Sequence, residues 1–256
     1  MNRYLKRLAD VVVTLLIWSY YTIGFIVFFA PFYLWAYLFS GNREISFQRL
    51  NHKFYQGFFA LARALIPSNR WRVAEDVRSI RSAVIVCNHI SYLDPILLIS
   101  LFEKHKTIVK SSLFDIPIFG CMLKLSGYIP SASSGKLAEL MVERIEGMQD
   151  YLTSGGNLFV FPEGTRSRSG TIGPLNRGAF KIARRCRRPI KVLFIRNTDK
   201  LFQPGKFLFN SGEPNTISVE LLDSIEPDYR GESFRILDLM AQVYSLLEAH
   251  SVEQVP

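Results

Sequence analysis

Val84-Ile85-Val86-Cys87-Asn88-His89-Ile90-Ser91-Tyr92-Leu93-Asp94-Pro95 passes from an unbroken apolar stretch into a cluster of polar side chains. Residues 83–87 are apolar and rich in β-branched side chains, with Arg81-Ser82 before and Asn88 after, so they read as an interior strand. Residues 93–102 read as a helix. Open α/β sheets bind ligands in the crevice beyond the carboxyl ends of their strands, and His89 falls there. Asp94 follows five residues later, near enough for its carboxylate to fold back onto one imidazole nitrogen. Such a pair fixes the tautomer and supports the imidazolium when the other nitrogen takes a proton from a hydroxyl. A histidine capping a helix, with an aspartate opening it before Pro95, would satisfy the same stretch. Ser91 sits in no Gly-x-Ser-x-Gly elbow, so a serine nucleophile is not indicated.

A second strand, residues 157–161, runs directly into Pro162-Glu163-Gly164-Thr165-Arg166-Ser167. Gly164 permits a positive φ or close backbone approach. Arg166 offers a planar fork for phosphate or carboxylate, and Thr165 and Ser167 add hydroxyls. This loop suits an anionic group.

Taken together, Asn88-His89-Ile90-Ser91-Tyr92-Leu93-Asp94 and Phe161-Pro162-Glu163-Gly164-Thr165-Arg166-Ser167 resemble the Asn-His-x-Ser-x-x-Asp and Phe-Pro-Glu-Gly-Thr-Arg-Ser motifs of the glycerolipid acyltransferases, the family of bacterial 1-acylglycerol-3-phosphate acyltransferases. The resemblance covers residues 83–222. It implies transfer of a fatty acyl group from acyl carrier protein or coenzyme A, as co-substrate, to the hydroxyl of a lysolipid, first among them 1-acyl-sn-glycerol-3-phosphate. No bound cofactor or metal is implied. His89 would be the general base and Asp94 its orienter. Glu163, Gly164, Thr165, Arg166 and Ser167 would bind substrate, with backbone amides near the Glu163-Gly164 turn as oxyanion donors, and Asn88 and Ser91 would shape the loop. Lys181 falls in a Gly-Ala-Phe-Lys run, residues 178–181, that the family also carries.

One position departs from the family pattern. Gly127-Tyr128-Ile129-Pro130-Ser131-Ala132-Ser133-Ser134 matches the second motif, but Ser133 stands where an arginine is thought to bind the acceptor's phosphate. No serine replaces a bidentate guanidinium. Either Lys136 or Arg166 compensates, or the acceptor differs: a lyso-aminolipid or another hydroxylated amphiphile. A membrane protein binding lipid without catalysis is the reading from another class.

The 256 residues suffice for one large α/β domain with an appendage. A formal charge of +9 permits nucleic acid, anionic lipid or an acidic protein as partner. The 20 Phe and 11 Tyr, many before residue 60, favour a membrane surface, and no nucleic-acid motif is present. Cys87, Cys121 and Cys186 are widely spaced and read as buried free thiols. The four histidines form no ligand cluster.

Residues 11–40 carry no charge, a run longer than the ~20 residues that cross a bilayer. A basic flank precedes it, but no small-x-small cleavage site closes it, so it reads as a retained anchor. Gly24 and Pro31 interrupt it, leaving open a kinked span or a two-helix element in one leaflet. Residues 47–66 read either as an interfacial helix or as one packed on the domain. The expected organisation is therefore an anchor with interfacial helix over 1–66 and an acyltransferase domain over 67–256: a mixed central sheet flanked by helices behind a hydrophobic helical membrane anchor. The expected location is the inner or plasma membrane, with the catalytic domain facing the cytoplasm.

Downstream, residues 106–110 read as a strand and 116–126 as an apolar segment. One amphipathic helix is expected over 136–152, from the stripe Leu137, Leu140, Met141, Ile145, Met148 and Leu152. A further helix should bury Ala179, Ile182, Ala183 and Cys186. Its basic face, with Lys181, Arg184, Arg185, Arg187 and Arg188, suits an anionic lipid surface, an acidic acyl carrier protein or plain solvent. Strands over 190–195 and 216–222 and a closing helix over 233–250 complete the chain.

Overall fold

The computed structural model describes residues 3–167 and 170–252. The chain forms two compact units. One holds residues up to Val73 with Ile90–Glu103 and Ile195–Val219; the other holds Ala74–His89, Lys104–Phe194 and the residues from Glu220.

Seven strands are present: β1 Asn69–Val73, β2 Val84–Cys87, β3 His105–Lys110, β4 Ile129–Ser131, β5 Asn157–Val160, β6 Ile190–Arg196 and β7 Asn215–Ile225. In the second unit, β2 pairs in parallel with β5 (Val84 opposite Leu158) and with β6 (Val84 opposite Ile190). β3 continues the parallel array between β5 and β4. All four side chains of β2 are completely buried, as a strand covered on both faces requires. Parallel pairing brings the carboxyl ends of β2, β3, β4 and β5 to one edge. The Asn157 amide closes the opposite edge, accepting from Ala83 N–H at 3.3 Å and donating to the Ile80 carbonyl at 2.8 Å.

In the first unit β1 pairs in parallel with β7, and the Asn197 amide just after β6 donates to the Thr216 carbonyl near the start of β7. In the second unit, Lys191 near the start of β6 meets Ser224 near the end of β7. The two strands therefore run antiparallel, and the sheet is mixed, as expected.

The apolar amino terminus is helical from Tyr4 to Phe39, long and apolar enough to cross a membrane. Gly24 and Pro31 do not break it. Instead, Tyr20–Phe29 widens into a π-helix before the segment Ala30–Phe39, whose second residue is Pro31. Proline lacks an N–H and its ring crowds the carbonyl four residues earlier, which a locally wider helix relieves. Asn42 then caps the helix Arg43–Leu65, its Oδ1 accepting from Ile45 N–H at 3.1 Å.

This second helix packs back along the first. Tyr20 donates to the Phe54 carbonyl at 2.8 Å and stacks on the Phe54 ring, and Tyr33 donates to Asn51 Oδ1 at 2.6 Å. A Cβ at Gly57 would lie 2.2 Å from the Tyr20 hydroxyl, so glycine sets the approach. Its buried side, with Phe47, Phe54, Phe58 and Phe59, leaves Arg43, Arg49, Lys53 and Arg63 outward. His52 also reaches the Ile99 carbonyl at 2.9 Å, on the helix Leu93–Leu101. Of the two readings left open for this segment, packing is the one observed.

Two expectations are corrected. The helix expected over 136–152 is two, Gly135–Glu146 and Met148–Thr153, divided at Gly147, and the first buries no residue completely. Cys87 and Cys186 are buried, but Cys121 is exposed, on the outer side of the short helix Phe119–Leu125.

Candidate active site

β2 ends at Cys87; Asn88 is buried, and His89 is half-buried at the strand's carboxyl end. β5 ends at Val160 and hands over to the Phe161–Ser167 loop at the same edge. The loop holds His89 on three sides. Glu163 Oε1 accepts the His89 backbone N–H at 3.1 Å, Ser167 N–H donates to the His89 carbonyl at 2.8 Å, and the Phe161 ring lies 4.3 Å from the imidazole centroid at an interplanar angle of 24°.

The loop is braced in turn. Glu163 Oε2 accepts from Gly173 N–H at 3.0 Å, and Asn176 donates to the Pro162 carbonyl from both its backbone, at 2.7 Å, and its side chain, at 3.0 Å. Gly164 has φ +71°, where a Cβ would be strained and would sit 3.0 Å from the Asn176 amide nitrogen. Glu163 thus acts on the backbone of the histidine, as a clamp. Gly164 N–H closes a turn onto the Phe161 carbonyl at 3.1 Å. Thr165 is exposed and Arg166 half-buried at the tip of the loop.

Asp94, in the other unit, is completely buried together with Ser91 and Thr198. Its Oδ2 accepts from Ile90 N–H and Ser91 N–H, both at 2.7 Å, and its Oδ1 from the Thr198 hydroxyl at 2.5 Å. Ser91 Oγ accepts from Leu93 N–H at 3.2 Å and donates to the Phe202 carbonyl at 3.3 Å. Asp94 therefore holds closed the loop that follows His89. The neighbouring Asp199 has its carboxyl pushed above the ordinary carboxylate range by burial, and the Asp94 charge adds to this; Asp199 and Lys200 backbone N–H groups and the Lys200 ammonium oppose it.

Lys181 is exposed on the helix Gly178–Cys186. That helix ends at Arg187, in a left-handed conformation, immediately before β6 begins, so its last cations lie at the sheet edge opposite His89. Ser133 is exposed in the turn between β4 and the helix Gly135–Glu146. Sequence reading missed Thr198, which is 104 residues from Asp94, and the bracing by Gly173 and Asn176. Neither carries a local signal. Among the described residues no group of three His, Cys, Asp or Glu side chains is placed to hold a metal.

Comparison with known proteins matches residues 68–195, half of the chain, to the family model described as Acyltransferase. A chloroplastic 1-acyl-sn-glycerol-3-phosphate acyltransferase of Brassica napus is 33% identical over 52% of the chain and 39% of its own length. A 1-acyl-sn-glycerol-3-phosphate acyltransferase of Saccharomyces cerevisiae is 33% identical over 55% of the chain and 47% of its own. The chain thus spans less than half the length of these curated relatives. The crystal structure of the 1-acyl-sn-glycerophosphate acyltransferase PlsC from Thermotoga maritima superposes with a TM-score of 0.72 at 22% identity, covering 97% of each chain, which establishes the shared fold.

Proposed function

Because the chain belongs to the acyltransferase family, we propose that it moves a fatty acyl group from a thioester to the free hydroxyl of a lysolipid, 1-acyl-sn-glycerol-3-phosphate first, giving phosphatidate. The observation that carries this reading is the clamp on His89: a loop more than seventy residues away holds the backbone of one half-exposed histidine on both its N–H and its carbonyl. A general base must sit within hydrogen-bond reach of the proton it takes, and such fixing is what keeps it there.

In the proposed reaction the imidazole of His89 accepts the proton of the lysolipid hydroxyl as its oxygen attacks the thioester carbonyl. The tetrahedral intermediate collapses with cleavage of the C–S bond, and the proton passes to the leaving thiolate. No acyl-enzyme is needed. Asp94 supports the imidazolium by its charge and by closing the loop that follows His89. Arg166, at the tip of the clamping loop, meets the anionic head group, with Thr165 beside it.

The acyl donor is a thioester of acyl carrier protein or coenzyme A, and no bound cofactor takes part. The lipid partner is reached by the apolar helix. Its exposed side includes Leu15, Leu16, Ile23, Ile26, Phe28 and Trp35, while the helix packed along it turns Arg43, Arg49, Lys53 and Arg63 outward. Those cations are costly at the centre of a bilayer. The helix therefore lies in one leaflet, on the cytoplasmic side of the plasma membrane.

Ser133 favours a second reading, with the same chemistry on an acceptor lacking a phosphomonoester. Rescue of a strain without its lysophosphatidate acyltransferase separates the two: growth restored by the wild-type chain supports the first, and no growth alongside acylation of another lysolipid in a panel supports the second.

A further inference from the structure

Beside the turn that carries Thr198 lies a cleft of about 540 Å³, lined in part by Ser68, Arg70, Asn197, Lys200, Asn215 and Thr216. Small-molecule sites occupy roughly 300–1,000 Å³. The lining is one-sided in charge, with a guanidinium, an ammonium and neutral hydrogen-bonding groups but no carboxylate. Arg70 and Lys200 are both exposed.

The framework of the cleft is fixed by the pairing of β1 with β7 and by one strained turn. Arg70 stands opposite Thr216 in the parallel register. Asn197, held at φ 61°, donates through its amide to the Thr216 carbonyl at 2.8 Å, and its own carbonyl accepts from the Asn215 amide at 2.9 Å. A non-glycine residue in the left-handed region persists where its surroundings hold it, and such positions gather at binding sites. Ser68 is tied to the Ser211 carbonyl at 3.2 Å. The next residue along the turn, Thr198, is the one that bonds Asp94, and Lys200 follows two residues later.

A guanidinium and an ammonium lining one cleft beside polar amides, with no acid in the lining, match the oxygens of a phosphate better than a sugar or an apolar chain. We propose that this cleft binds a phosphate group of one of the two substrates, an inference that rests on the acyltransferase reading. The phosphate comes from the acyl donor, as the phosphates of coenzyme A or the phosphodiester of a carrier-protein arm, or from the head group of the lysolipid.

The test uses the full chain in detergent, as wild type and as the double variant Arg70→Ala/Lys200→Ala. Michaelis constants are measured separately for acyl-coenzyme A, acyl carrier protein thioester and 1-acylglycerol-3-phosphate, and thermal stabilisation is measured with inorganic pyrophosphate. The proposal expects a rise of tenfold or more in one substrate's Michaelis constant with turnover within twofold of wild type, and stabilisation by pyrophosphate that the variant loses. A rise confined to the donors identifies the donor phosphate; a rise confined to the acceptor identifies the head group. Unchanged constants with unchanged pyrophosphate stabilisation overturn the cleft while leaving the reaction standing. If the wild type transfers no acyl group, the acyltransferase reading fails, and the pyrophosphate measurement alone decides whether the cleft binds phosphate.

Discussion

The carboxylate of Glu163 accepts the backbone N–H of His89 at 3.1 Å across 74 residues of sequence, while its other oxygen accepts from Gly173 N–H at 3.0 Å. A side chain that looks placed for substrate in the sequence therefore grips the main chain of the proposed base.

Glu163→Ala should lower turnover by about tenfold or more, since a hydrogen bond to a charged acceptor contributes roughly 1.5–3 kcal/mol and 1.36 kcal/mol is tenfold in rate. Glu163→Gln, which keeps acceptor capacity, should fall between. Steady-state kinetics with varied acceptor check this. A raised acceptor Michaelis constant with unchanged turnover would instead return Glu163 to the head-group site.

Thr198→Val keeps the shape of the side chain but leaves the buried Asp94 without its hydroxyl donor. Loss of about 1–3 kcal/mol of stability is expected, together with reduced turnover, and Thr198→Ser should restore most of both. Denaturant unfolding and initial rates measure the two effects. A valine variant as stable and active as wild type would show that Asp94 does not depend on this bond.

Asp199 provides a pH-dependent test. Burial raises its carboxyl above the ordinary value, so the folded chain binds this proton more tightly than the unfolded chain. Stability from this group therefore falls as pH rises between the unfolded and the folded values. At neutral pH this raised carboxyl therefore weighs against the fold, and Asp199→Asn should raise the unfolding midpoint. The gain should vanish once pH drops below the ordinary carboxylate range, about 4. Equal stabilisation at both ends would show that the effect is not electrostatic.

For the proposed placement of the helix in one leaflet, Tyr4→Cys in a Cys121→Ser background should react with an impermeant thiol reagent applied to the cytoplasmic face, because a helix held in one leaflet keeps both its ends on one face and Tyr4 is exposed at the amino-terminal end. Labelling solely from the opposite face would make the helix a span.

The sheet edge was legible because β2 and β5 pass from buried apolar runs directly into polar loops, and both motifs begin where the strands end. The helix break at Gly147 was not. Leu137, Leu140, Met141, Ile145, Met148 and Leu152 keep helical spacing across it, so periodicity alone joins two helices that the backbone separates. Gly24 and Pro31 pointed the other way: both are ordinary helix breakers, yet the helix absorbs them by widening over ten residues. At the site, the sequence pointed to His89, Asp94 and Glu163 as candidates, but what Glu163 holds could not be read from it. Its partner is a main-chain N–H, and any residue but proline at position 89 would offer the same donor. Thr198 was invisible for a related reason, since its bond to Asp94 exists only once β6 has brought its turn to the buried carboxylate.

The central claim is that His89 takes the proton of a lysolipid hydroxyl. Membranes bearing the wild-type chain or His89→Ala are incubated with labelled acyl thioester and 1-acylglycerol-3-phosphate, and the products are resolved by mass spectrometry with fold integrity checked in parallel. Labelled phosphatidate from the wild type, reduced at least a hundredfold in a folded His89→Ala variant, is the predicted result. Labelled phosphatidate formed at comparable rates by both chains would contradict the account.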